Sequence, residues 1–147
     1  MTPARPSYPH PVRVPFHFWP IGLVILLWNC WGLFGAIAAQ IHLLPDLPDQ
    51  ALAHLDRQPW WLMLVGDLSP LAGVAGSLAL LVQSRWAPAL FVIQIAILVV
   101  TNAYEVLIGA SPLLEAPETR ISTAILLVLL AAQTVFAFRM AKKGLLG

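Results

Sequence analysis

Two carboxylic acids, Asp67 and Glu105, stand inside long apolar stretches of a 147-residue chain. A carboxylate held in hydrocarbon costs several kcal/mol, so an acid so placed is a candidate for proton or cation coupling, or for contact with a substrate. Neutral polar residues accompany the acids: Asn29 and Gln40 in the first apolar stretch, Gln94, Thr101 and Asn102 near Glu105, and Gln133 in the last. Asp67, Asn102, Glu105, Asn29 and Gln94 are the candidates for a substrate, proton or cation site. Asn29, Gln94 and Gln133 also fit a plainer role as interhelical hydrogen bonds, each worth about 0.6 to 2 kcal/mol in a membrane.

Other chemistry has less to stand on. Trp28 and Trp31 could stack on a sugar ring or an organic cation, and equally fit packing or contact with lipid. His42, Asp46, His54 and Asp56 match no zinc-ligand spacing, and no metal or cofactor is implied. There is no Ser-His-Asp set, phosphate-binding Gly loop or haem-attachment motif, so nothing positive supports an enzyme. Cys30 is the single cysteine, which excludes an intrachain disulfide.

The elements that must hold these residues follow from composition. The chain is 59% hydrophobic and only 10% charged, whereas a soluble domain carries roughly 25% charged residues. Such a surface is stable only where lipid is the solvent. The length fits one domain of four spans of about 20 residues. The expected spans cover about 19–41, 60–82, 86–108 and 121–138, together a membrane domain over 19–139. They must be helices, because lipid leaves each backbone polar group to be satisfied within its own segment. Barrel strands would alternate in polarity over about 10 residues, which these runs do not.

Residues 1–18 hold five prolines and read as an extended arm. Residues 42–59 and 109–120 form polar loops, Gln83-Ser84-Arg85 a tight turn, and 140–147 a basic tail. Within 42–59, Asp49 could cap one short amphipathic turn. Ala36-Ile37-Ala38 resembles a signal-peptide cleavage site, but the long run and the proline-rich arm before it favour a retained span.

Charge sets the expected orientation. Arg5, Arg13, Arg85, Arg139, Lys142 and Lys143 fall on one side of the membrane, and Arg57 and Arg120 on the other. Cations gather on the cytoplasmic face, so both termini are expected inside. The loop acids Asp46, Asp49, Asp56, Glu115 and Glu118 fall outside. Trp19, Trp60, Trp61 and Trp86 mark the interfaces. The net charge of +1 and the lack of any long basic run give no sign of nucleic-acid binding.

Helical spacing then sorts the polar residues. At about 100° per residue, Gln94, Thr101 and Glu105 fall within about 40° of one another, with Asn102 beside them. Gly22, Asn29, Ala36 and Gln40 share one face of the first span. Both stripes are expected to face the bundle interior. Gly66, Ser69, Gly73, Gly76 and Ser77 make a small-residue face on the second span for close helix packing. Asp67 lies about 130° from its centre, toward another neighbour or a cavity. At 1.5 Å per residue, Asp67 sits about 10 Å and Glu105 about 5 Å below the outer boundary.

Several segments in order resemble a known family. They are Trp28-Asn29-x-x-Gly32, Gly73-x-x-Gly76-Ser77-Leu78, Arg85-Trp86-Ala87-x-x-Leu90-Phe91, Asn102-x-Tyr104 and a short basic tail. Together they resemble the small, uncharacterised four-span inner-membrane proteins of proteobacteria, over about residues 20 to 143. Members are sometimes labelled sugar transporters by automatic transfer. The family pattern leads one to expect an acid soon after the span-1 glycine, where this chain reads Phe34-Gly35-Ala36.

The expectation is an all-α, up-down four-helix transmembrane bundle in a bacterial inner membrane, with both termini cytoplasmic. The first functional expectation is a small-solute transporter, a sugar being one candidate. Four helices enclose only a narrow path, so this reading calls for a homo-oligomer. The alternative is a non-transporting accessory or assembly subunit of a larger membrane complex, docked through the small-residue face. A membrane enzyme using the outer acids is a third.

Overall fold

The computed structural model describes residues 14–41, 43, 58–108 and 117–147, and these are helical almost throughout. Four helices follow in order: α1 (Phe18–Gln40), α2 (Trp60–Leu81), α3 (Ala87–Leu107) and α4 (Pro117–Lys142). All four are long and apolar enough to cross a bilayer. Pro88 lies in the first turn of α3, where its missing N–H costs nothing. Pro70 lies inside α2, a position that spanning helices tolerate.

The first three helices start and stop within a residue of the expected spans. The fourth is longer at both ends, because Pro117 is a good first helical residue and nothing stops the helix before Gly144. Much of the segment expected as a basic tail is therefore ordered differently. Lys142 closes the last helical turn, and Gly144 takes the left-handed conformation, at φ 70°. Its N–H bonds the Ala141 carbonyl at 2.9 Å and the Leu145 N–H bonds the Met140 carbonyl at 3.1 Å, a Schellman ending. Leu145 and Leu146 then turn back and are buried. The Gly147 N–H reaches the Gln83 carbonyl at 2.8 Å, and the Arg85 N–H returns to the Gly147 carbonyl at 3.2 Å. The 145–147 segment thus packs across the α2–α3 turn.

The apolar core gathers at that same end. Phe18 from α1, Leu80 from α2, Ala87 and Phe91 from α3, and Ala137 and Met140 from α4 are buried together. Phe18 stacks on Phe136 with ring centroids 6.3 Å apart. The start of α1 thus meets the ends of α2 and α4 and the start of α3, so successive helices run antiparallel. Helix α1 packs on α2, α2 on α3 and α3 on α4. Gly76 permits a close approach of α2 and α3: a Cβ there would stand 3.0 Å from two ring carbons of Phe91. Around the outside, Val24, Leu27, Val99, Val100, Ile125 and Val128 are exposed, a surface suited to hydrocarbon.

Candidate functional site

The buried polar residues meet at the centre of the bundle. Asn29 is the middle residue of α1 and Gln94 lies in the first half of α3. Both are buried, as are Ser77 of α2 and Gln133 of α4. Three carboxamides close a ring. Asn29 Nδ2 donates to Gln133 Oε1 at 3.0 Å, Gln133 Nε2 to Gln94 Oε1 at 2.7 Å, and Gln94 Nε2 to Asn29 Oδ1 at 2.8 Å.

Neighbouring groups fix the direction in which this ring donates. The Ser77 hydroxyl gives its proton to the Gly73 carbonyl at 2.7 Å, so its oxygen faces Asn29 as an acceptor. Asn29 Nδ2 lies 3.2 Å from that oxygen and 2.8 Å from the Ile25 carbonyl. Two acceptors on one side demand the amide nitrogen there, which turns Oδ1 toward Gln94. Ser69 adds a bond from its hydroxyl to the Gln94 backbone carbonyl at 3.0 Å. All four helices are joined at this level, and no charged group takes part. Among the described residues no buried side-chain polar atom lacks a partner.

Gly73 provides the floor. A Cβ on it would fall onto Asn29 Oδ1 and Gln94 Nε2, and 2.7 Å from Gln94 Cδ. Ser69, Gly73, Gly76 and Ser77 are all buried, whereas Gly66 is half-buried and an added Cβ would meet nothing within 4 Å. The packed part of the small-residue face thus runs from Ser69 to Ser77. It admits the amide ring and Phe91 from within the same chain.

A second polar level lies toward the other end. Asp67 is half-buried and accepts from Gln40 Nε2 through both carboxylate oxygens, at 2.8 and 3.0 Å. Glu105, also half-buried, accepts from Gln58 Nε2 at 2.6 Å. Eleven residues separate Asn29 from Gln40 and Gln94 from Glu105, which puts the two levels about 16 Å apart along the helices.

The five candidate residues therefore stand at different places in the bundle. Asn29 and Gln94 belong to the amide ring, and Asp67 and Glu105 to the second level. Asn102 turns back to its own helix, donating to the Leu98 carbonyl at 2.8 Å. Thr101 does likewise, toward Ile97 and Leu98. The neighbour that Asp67 faces is α1, through Gln40. His42, Asp46, Asp49, His54 and Asp56 lie outside the described residues, and no group of metal-ligand type occurs among those described. Trp28 and Trp31 are exposed on α1, Trp31 with its ring 6.1 Å from that of Phe34.

Gln133 was visible in sequence as an interhelical hydrogen bonder, but not as the residue that closes a ring. Gln40 stood on the polar stripe of the first span but was not marked as the partner of Asp67, and Gln58, in the loop before α2, had no signal beyond being an amide. Comparison with protein-family models, curated proteins and solved structures gives no match, so the family resemblance rests on the order of its motifs.

Proposed function

We propose that the chain is a multi-pass protein of a bacterial inner membrane, serving as a non-transporting accessory or assembly subunit of a larger membrane complex. Four helices of spanning length with apolar outer faces support insertion. Arg85, Arg139, Lys142 and Lys143 gather at the end of the bundle that holds the α2–α3 turn, which supports cytoplasmic termini. The observation that carries the non-transporting reading is the closed amide ring. Its members are buried, joined to all four helices and bonded to one another. A solute path through one chain would have to break it.

Transport of a small solute by a homo-oligomer is the second reading, favoured by Asp67 and Glu105 at the half-buried level, where a path between copies would find charge. The family label of sugar transporter points the same way. Purification in mild detergent separates the two. Stoichiometric co-purification with other membrane subunits is the outcome expected here. A stable homo-oligomer, with solute uptake in proteoliposomes abolished by Asp67→Asn, would overturn it in favour of transport.

A further inference from the structure

Helices α1 and α4 do not pack along their length as the other neighbours do. Phe18 meets Phe136 at one end, and Asn29 meets Gln133 in the middle. That middle bridge divides the α1–α4 seam into two clefts that open sideways. The cleft nearer the termini, about 360 Å³, is walled by hydrocarbon such as Val24, Leu129 and Phe136, with Gln133 at its inner end. The other, about 310 Å³, goes deeper: it passes Trp28, Trp31 and Leu130 to reach Ser69, Pro70 and Gln94 on α2 and α3.

An inventory of hydrogen bonds says what this deeper cleft would hold. Gln94 carries two amide protons and one carbonyl oxygen. One proton goes to Asn29 and the oxygen accepts from Gln133; the second proton has no acceptor among the described residues. An N–H in apolar surroundings gains from any acceptor brought to it. The lining holds no acid or base, so the complementary head is neutral. Polar atoms are too few for a sugar or another many-hydroxyl solute.

Depth narrows the class further. Gln94 lies about 10 Å or more from either end of α3. A phospholipid's ester carbonyls are tethered at the interface by its headgroup and do not reach so far. We propose that this cleft binds a headgroup-free membrane lipophile, a long apolar chain or ring system bearing a carbonyl oxygen that accepts from Gln94. It enters laterally from the bilayer between Trp31 and α4. The proposal rests on membrane insertion of the bundle and is independent of the choice between accessory and transport roles.

The test uses the full chain in phosphatidylcholine nanodiscs with 4-dodecylbenzophenone, whose carbonyl is both the acceptor and the photoreactive group. Irradiation and peptide mapping should place label on the segments around Trp28–Gly32, Gln94–Leu98 and Leu126–Leu130. A tenfold excess of 2-tridecanone should cut that labelling at least fivefold, and tridecane should leave it unchanged. Gly32→Leu should block the cleft mouth, since an added Cβ there meets nothing within 4 Å; labelling should fall at least fivefold with no loss of thermal stability. Gln94→Leu should lose the preference for ketone over alkane. Label spread evenly over the exposed faces, equal competition by tridecane, or full labelling of the Gly32→Leu protein would each overturn the proposal. So would cross-linking of a second copy at the cleft. A chain that fails to enter nanodiscs and is released from membranes by alkaline carbonate would instead refute the insertion reading.

Discussion

The two polar levels of the bundle are built from different chemistry. The central one is three neutral amides and a hydroxyl, closed on themselves and shared by four helices. The other has two half-buried acids, Asp67 bonded to Gln40 and Glu105 to Gln58. In a bilayer the difference would follow from depth. Charge is costliest at mid-membrane, so a centre placed there would use groups that are polar without being ionised. The acids, nearer the helix ends, would stand where a side chain can reach the interface. A central ring of this kind also fixes register, because sliding any helix by a turn leaves amides unpaired in hydrocarbon. The centre is thus specified by geometry, while the outer level has room to exchange partners.

That contrast can be broken most sharply at glycine. Gly73→Ala places a methyl group on the amide ring and should destabilise the bundle by about 1 to 3 kcal/mol, the usual cost of overpacking. Helix propensity alone predicts the opposite sign, a gain of about 1 kcal/mol. Gly32→Ala, with open space around its Cβ, should show that gain. Unfolding in mixed micelles reads both variants, and equal behaviour would show that Gly73 does not support the ring.

Removing the hub comes next in size. Asn29→Leu leaves the Gln94 nitrogen and the Gln133 oxygen without their partner and should cost about 1 to 3 kcal/mol. Asn102→Leu loses only a bond to its own helix and should cost less than about 0.6 kcal/mol. The ranking reverses if Asn102 is the functional asparagine. In a double-mutant cycle, Asn29→Ala and Gln133→Ala should couple by about 0.6 to 2 kcal/mol across the α1–α4 seam.

The outer level should respond least. Asp67→Asn keeps an oxygen for Gln40 to donate to, so stability should change by no more than about 0.5 kcal/mol. A loss as large as that of Asn29→Leu would mean that the outer level, too, is a structural lock.

Much of this architecture was legible in the sequence. Four apolar runs of spanning length yielded the helices, and the polar stripes on α1 and α3 placed Asn29, Gln94 and Thr101 on buried faces. The small residues from Ser69 to Ser77 marked the close approach on α2. The grouping of the site was not legible. A wheel gives angle and not height, so residues on one face looked like one site although about 16 Å of helix divides them. Nor could a wheel show that amides on α1, α3 and α4 stand at one height, since that depends on how the helices are staggered. The buried Leu145 and Leu146 were missed because two leucines beyond a basic cluster carry no periodicity. Their packing depends on the left-handed turn at Gly144.

The ring itself is most directly tested by NMR of the side-chain amides of Asn29, Gln94 and Gln133, labelled in bicelles. The closed ring predicts cross-peaks linking the Asn29 and Gln133 amide groups and no exchange cross-peak to water for any of the three. Rapid exchange with water, or no contact between Asn29 and Gln133, would contradict it and would reopen a hydrated path through the single chain.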